Sequence, residues 1–117
     1  MDANVLFAGV AVADFQEARG WYERLFGRPP DVVAHDQEVM WQVTSAGWVY
    51  ILCDAEHAGH SVVAMAVSDI EDTISVLEGR GVSAGEIKPE GDAGRKAVVL
   101  DPAGNRVEII EVAGVGG

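Results

Sequence analysis

The spacing of apolar residues changes period several times along this chain. From Phe15 they fall three and four residues apart, at Phe15, Ala18, Trp21, Tyr22, Leu25 and Phe26, while Glu17, Arg19, Glu23 and Arg24 take the other side. Such a stripe predicts a helix that covers a core, not a cofactor box. Ile70, Thr73, Ile74 and Leu77 predict a second helix in the same way. Each helix opens on an aspartate suited to cap it, Asp14 or Asp69, with a carboxylate three positions on, Glu17 or Asp72. Each then runs about three turns to a glycine, Gly27 or Gly81, which suits a C-cap.

Around the helices the period shortens to that of strands. Pro29-Pro30 breaks the chain, and strand-like runs follow at Val32 to His35, Glu38 to Thr44 and Trp48 to Cys53. After the second helix come Glu86 to Lys88, Lys96 to Leu100 and Arg106 to Val112. Val10-Ala11-Val12-Ala13-Asp14-Phe15-Gln16-Glu17 and Met65-Ala66-Val67-Ser68-Asp69-Ile70-Glu71-Asp72 match in character at a constant offset of 55. The chain therefore reads as an α+β protein of two tandem βαβββ modules, one over about residues 5–54 and one over about 60–112, in a single domain spanning 1–117. Ala55 to Gly59 is the expected connector, Gly91 to Gly94 a loop between strands, and Ala113 to Gly117 too small and glycine-rich to be firmly ordered.

The stretch from Asp101 to Glu111 joins a turn, Asp-Pro-Ala-Gly-Asn, to a strand in which Glu108 stands on the face opposite Val107 and Ile109. Composition narrows the partners. Eight Lys and Arg against 19 Asp and Glu give a net charge of −11, which disfavours nucleic acid and gives a weak preference for a cationic ligand, beside the plain reading of solubility. The one cysteine, Cys53, has no disulfide partner and is expected as a small buried hydrophobe. No leader pattern and no apolar run near ~20 residues is present, so a cytoplasmic protein off the membrane is expected. With 49% hydrophobic residues, a chain of this size is expected to bury a second surface.

Val-x-Asp before the first helix, Trp21-Tyr22-Glu23-Arg24-Leu25-Phe26-Gly27 closing it, and Asp101-Pro102-Ala103-Gly104-Asn105-Arg106-Val107-Glu108 near the end resemble the vicinal oxygen chelate superfamily. That superfamily contains glyoxalase I, extradiol dioxygenases, fosfomycin-resistance thiol transferases and bleomycin-resistance proteins. The resemblance spans about residues 5 to 112 and implies the glyoxalase/bleomycin-resistance fold, with curved mixed sheets around a cleft that a second subunit often completes. Together with the apolar composition, this makes a homodimer the expectation. It also implies four metal-ligand positions, which fall here on Phe7, Val62, Glu108 and one residue among Val49, Tyr50, Ile51 and Leu52. An aromatic ring or an isopropyl group donates nothing to a divalent ion, so no metal and no cofactor is expected. His60 is the one imidazole placed to rescue such a site, and it is also read as an exposed residue at a strand start.

Glu108 is open to several roles: ligand contact, structural hydrogen bond, or metal ligand. Trp41 and Trp48, with Tyr50, either stack on a planar or cationic ligand or pack at an interface or under the sheet. Phe7, Gly9 and Ala11 on one first strand, and Val62, Ala64 and Ala66 on the other, leave room for a ligand or for close approach of the modules. Cys53 lacks a setting that would activate it, and Gly91 to Lys96 lacks the context of a phosphate loop. The favoured function is a metal-independent protein sequestering a small organic ligand, as in the drug-binding resistance branch, through Phe7, Trp41, Trp48, Tyr50, Val62 and Glu108. The alternative is a divergent lyase, isomerase or dioxygenase using Glu108, with no catalytic set assigned.

Overall fold

A computed structural model describes residues 1–92 and 94–112. The order of elements is β1 (Leu6–Val12), α1 (Phe15–Phe26), β2 (Val32–His35), β3 (Glu38–Thr44), β4 (Gly47–Cys53), β5 (Val62–Ala66), α2 (Ile70–Gly79), β6 (Lys88–Pro89), β7 (Gly94–Leu100) and β8 (Arg106–Val112). This is the βαβββ unit twice over. Each copy forms its own four-stranded mixed sheet, β1-β4-β3-β2 in the first and β5-β8-β7-β6 in the second. In both, the first strand lies parallel to the last, and the remaining pairs are antiparallel.

The helix ends follow the chemistry of their sequences. Asp14 accepts a hydrogen bond from the Glu17 amide at 3.0 Å, and Asp69 accepts one from the Asp72 amide at 3.0 Å. Helix α1 ends at Gly27, whose φ of 75° is open to glycine at little cost. Helix α2 stops two residues short of the predicted glycine. The Val82 amide bonds back to the Leu77 carbonyl and the Gly81 amide to the Glu78 carbonyl, so Gly81, at φ 80°, sits just past the last turn. Strand β6 also departs from expectation. It spans only Lys88–Pro89, at the sheet edge, where a proline without an N–H is tolerated.

One core serves both modules. Val10, Val12, Val39, Trp41, Val49 and Ile51 of the first sheet join Ala97, Val99, Val107 and Ile109 of the second, with Trp21, Tyr22, Ile70, Ile74 and Leu77 of the helices. Apart from Ala11, every buried strand residue lies on the helix-bearing face of its sheet, so the opposite faces are turned outward. Polar contacts lock the halves together. Tyr22 Oη donates to Asp101 Oδ2 at 2.8 Å, Asn105 Nδ2 donates to the Ala11 carbonyl at 2.8 Å, and Arg80 donates to the Leu25 carbonyl at 3.2 Å.

Cys53 is not buried as expected but exposed, because β4 ends there and its side chain leaves the covered part of the sheet. Residues 113–117, expected to be loosely ordered, lie outside the described residues. No described helix is long and apolar enough to cross a membrane.

Candidate functional site

The outward face of the first sheet is aromatic. Period-two alternation sets Phe7, Gly9 and Ala11 of β1 beside Trp48, Tyr50 and Leu52 of β4, pair by pair. The Phe7 and Trp48 rings stack with centroids 5.9 Å apart and planes 24° from parallel. Gly9 is the reason Tyr50 can lie across β1, since a Cβ at that position would be 2.6 Å from the Tyr50 Cζ and Oη. Met40 and Gln42 of β3 extend the same face opposite Tyr50 and Trp48.

Trp41 does not belong to this face. Its partner across the ladder is Val49, and that parity turns it into the core, where it is 0% exposed. There its Nε1 donates to the Arg28 carbonyl at 3.0 Å and its ring meets Phe26 and Tyr22. The alternation of Val39, Trp41 and Val43 against Glu38, Met40 and Gln42 carried that distinction in the sequence.

The outward face of the second sheet is ionic at its centre. Ala64, Glu108 and Val98 form one row across β5, β8 and β7, and Val62, Arg106 and Leu100 form the next. Arg106 Nη2 donates to Glu108 Oε2 at 2.8 Å, and Lys96 Nζ lies 3.7 Å from Glu108 Oε1 and 3.5 Å from Glu90 Oε1. The Glu108 side chain is only 15% exposed, and these cations offset its desolvation. Arg106 and Lys96 went unnoticed at the level of sequence, although the two-residue step from Arg106 to Glu108 along one strand was the available signal. His60 is exposed and its side chain joins no cluster among the described residues.

Internal symmetry relates the two faces. The offset of 55 carries Gly9 onto Ala64, and their ladder partners are Tyr50 and Glu108. Tyr50 is thus the counterpart of Glu108 among the residues from Val49 to Leu52. The four positions that the family resemblance marks for a divalent ion thus fall on Phe7, Tyr50, Val62 and Glu108, and the last is already paired with two cations. A phenyl ring, a phenol and an isopropyl group do not make a site for such an ion. No three His, Cys, Asp or Glu side chains are grouped to hold one among the described residues.

Asp101 and Asn105, in the turn that leads to Glu108, are 4% and 1% exposed. Asp101 Oδ1 accepts from the amides of Ala103 and Asn105, while Asn105 Oδ1 accepts from the Ser61 amide. Burial, and then the charge and hydrogen bond of Asp101, hold the Tyr22 phenol well above its ordinary pKa, so Tyr22 remains a neutral donor. This cluster fastens the turn to β1 and α1, and thereby fixes where β8 and Glu108 stand.

Two hollows among the described residues bear on the site. One of about 570 Å³ lies between the modules on their helix-bearing side, lined by Leu6, Ala8, Phe26, Arg28, Val43 and Met65 among others. The other, of about 620 Å³, opens on the outward face of the second sheet beside Arg106.

The model of the Glyoxalase/Bleomycin resistance protein/Dioxygenase superfamily matches residues 28–109, and the chain belongs to that superfamily. A glyoxalase/bleomycin resistance protein from Catenulispora acidiphila DSM 44928 is 37% identical, with a TM-score of 0.87 over 94% of this chain and 99% of that one. The fold is shared with TnmS3, an antibiotic-binding protein from Streptomyces sp. CB03234, at 19% identity and a TM-score of 0.75 over 95% and 97% of the two chains. It is shared also with a lactoylglutathione lyase from Agrobacterium tumefaciens, at 15% identity and a TM-score of 0.77 over 94% of each chain. Nothing among the curated proteins matches the chain.

Proposed function

We propose that this protein is a metal-independent binding protein of the cytoplasm, which sequesters a drug-like or metabolite ligand in a cleft completed by a second copy of the chain. One observation carries the proposal: of the four symmetry-related positions where a metal centre would need donors, three hold Phe7, Tyr50 and Val62. Where donors are missing, an apolar surface remains. Phe7, Trp48 and Tyr50 offer a stacking platform on the first sheet, and Val62 and Glu108 stand on the second. The two faces are turned outward on one chain, so a ligand enclosed by both needs two chains. The antibiotic-binding role of TnmS3, on the same fold, fits action by occupancy without turnover. The alternative, a divergent lyase or isomerase using Glu108, draws no support from a carboxylate committed to Arg106 and Lys96.

Titration with a panel of aromatic antibiotics and metabolites, followed by tryptophan fluorescence, tests this reading. Trp48 is the reporter, since Trp21 and Trp41 are buried. A saturable change is expected for some member of the panel, lost in Trp48→Phe and weakened in Gly9→Val, where the new side chain pushes the Tyr50 ring aside. A flat response across the panel, or stoichiometric metal in protein purified without chelator, overturns it.

A further inference from the structure

We propose that the ligand of this site bears an anionic group and that Arg106 receives it. This rests on the binding reading above and adds the charge of the ligand. The hollow of about 620 Å³ on the outward face of the second sheet is lined by Ser83, Ala84, Gly85, Val98, Leu100 and Arg106. It is shallow and open, so it can receive one end of a molecule rather than enclose it, and Arg106 is its one charged wall. A guanidinium carries five N–H donors in a fixed fork, and among the described residues Glu108 engages Arg106 through Nη2 alone. Among the described residues the rest of the fork has no partner. Glu108 holds the guanidinium through Nη2, as a positioning residue, so that a carboxylate, enolate or phenolate meets a cation already in place.

The distribution of charge points the same way. The chain has eight Lys and Arg and a net charge of −11, so its surface as a whole repels anions. Yet Lys88 and Lys96 stand directly opposite each other across β6 and β7, an arrangement that costs stability between like charges. With Arg106 they place three of the eight basic residues on this one face, against Glu90 and Glu108. Cations are thus gathered here well beyond their share in the chain. A cationic ligand, the preference suggested by overall composition, would meet Arg106 and Lys96 and find the Glu108 oxygens taken. The neighbouring Val98 and Leu100 supply apolar contact for the body of the molecule.

Calorimetric titration of the full chain with 2-naphthoate, 2-naphthalenemethanol and 2-naphthylmethylammonium separates the terms. The carboxylate is expected to bind ~10-fold or more tighter than the alcohol, as a charge-assisted hydrogen bond supplies, with the ammonium weakest. Arg106→Gln is expected to bring the carboxylate down to the alcohol's affinity and to leave the alcohol unchanged, while Arg106→Lys restores part of the gap. An unchanged unfolding midpoint certifies each variant. Equal binding of all three probes, or a carboxylate preference that survives Arg106→Gln, overturns the proposal and leaves sequestration standing. No saturable binding by any probe overturns both.

Discussion

Asn105 makes more of this structure than its place in a surface turn suggests. Its side chain donates to the Ala11 carbonyl and to Asp101 Oδ2 and accepts from the Ser61 amide, all at 2.8 to 2.9 Å and out of contact with water. Replacing it by alanine removes the side-chain partner of the Ala11 carbonyl and of the Ser61 amide and leaves Asp101 Oδ2 with Tyr22 alone, and a buried polar group left unpaired costs about 1–3 kcal/mol. Asn105→Ala is therefore expected to lower unfolding stability by about 3 kcal/mol or more, and Tyr22→Phe, which removes one donor to Asp101, by about 1–2 kcal/mol. Urea denaturation of the two variants checks the order. Equal losses would mean that the turn does not depend on Asn105 as its hub.

At the scale of elements, helix α2 begins under the control of a residue far away in sequence. Glu111 on β8 accepts the Ile70 amide through Oε2 at 2.9 Å, and its Oε1 receives the Arg95 Nη2 at 2.9 Å. The amide first, and then the guanidinium, hold the Glu111 carboxyl below the usual glutamate range. A carboxyl depressed on folding stabilises the fold while it is ionised and gives that up on protonation. Stability contributed by Glu111 should thus be whole above its ordinary pKa of 4.5 and fall away as the pH drops below it. Chemical denaturation between about pH 7 and pH 3 is expected to show a shallower acid decline in Glu111→Gln than in the parent. Identical acid limbs would remove Glu111 from the account.

Elements also show how far the residues could be read without coordinates. Both helix starts were legible because Asp14 and Asp69 carry local capping chemistry, and the first strands because alternation is a property of neighbours. The end of α2 was harder. Gly81 signalled the left-handed residue correctly, but the helix hydrogen bonds stop before it. Trp41 was misplaced among the ligand residues since its composition, not its parity, drew attention. The ion pairs around Glu108 bring Lys96 from a neighbouring strand, and the Tyr22–Asp101 contact spans 79 residues. Pairings of that kind depend on register and tertiary approach, which no local pattern records.

For the whole molecule, the question is what covers the outward faces. Phe7, Val62 and Leu100 are 50%, 61% and 59% exposed there, an apolar exposure that favours association. A homodimer is expected by sedimentation at micromolar concentration, and Phe7→Glu together with Val62→Glu should shift it towards monomer. A monomeric parent would leave each half-site open and remove the enclosed cleft.

The shared core has a consequence for how such a protein changes over generations. The core side chains of β1, β3, β4, β7 and β8 sit on one side of their strands, and in the proposed binding role those that meet a guest sit on the other. If the proposed binding role holds, mutations at Phe7, Tyr50, Val98 or Arg106 would retune what is captured without asking the interior to repack. A lineage built this way can follow a shifting chemical environment by editing one surface while its foundation stays still.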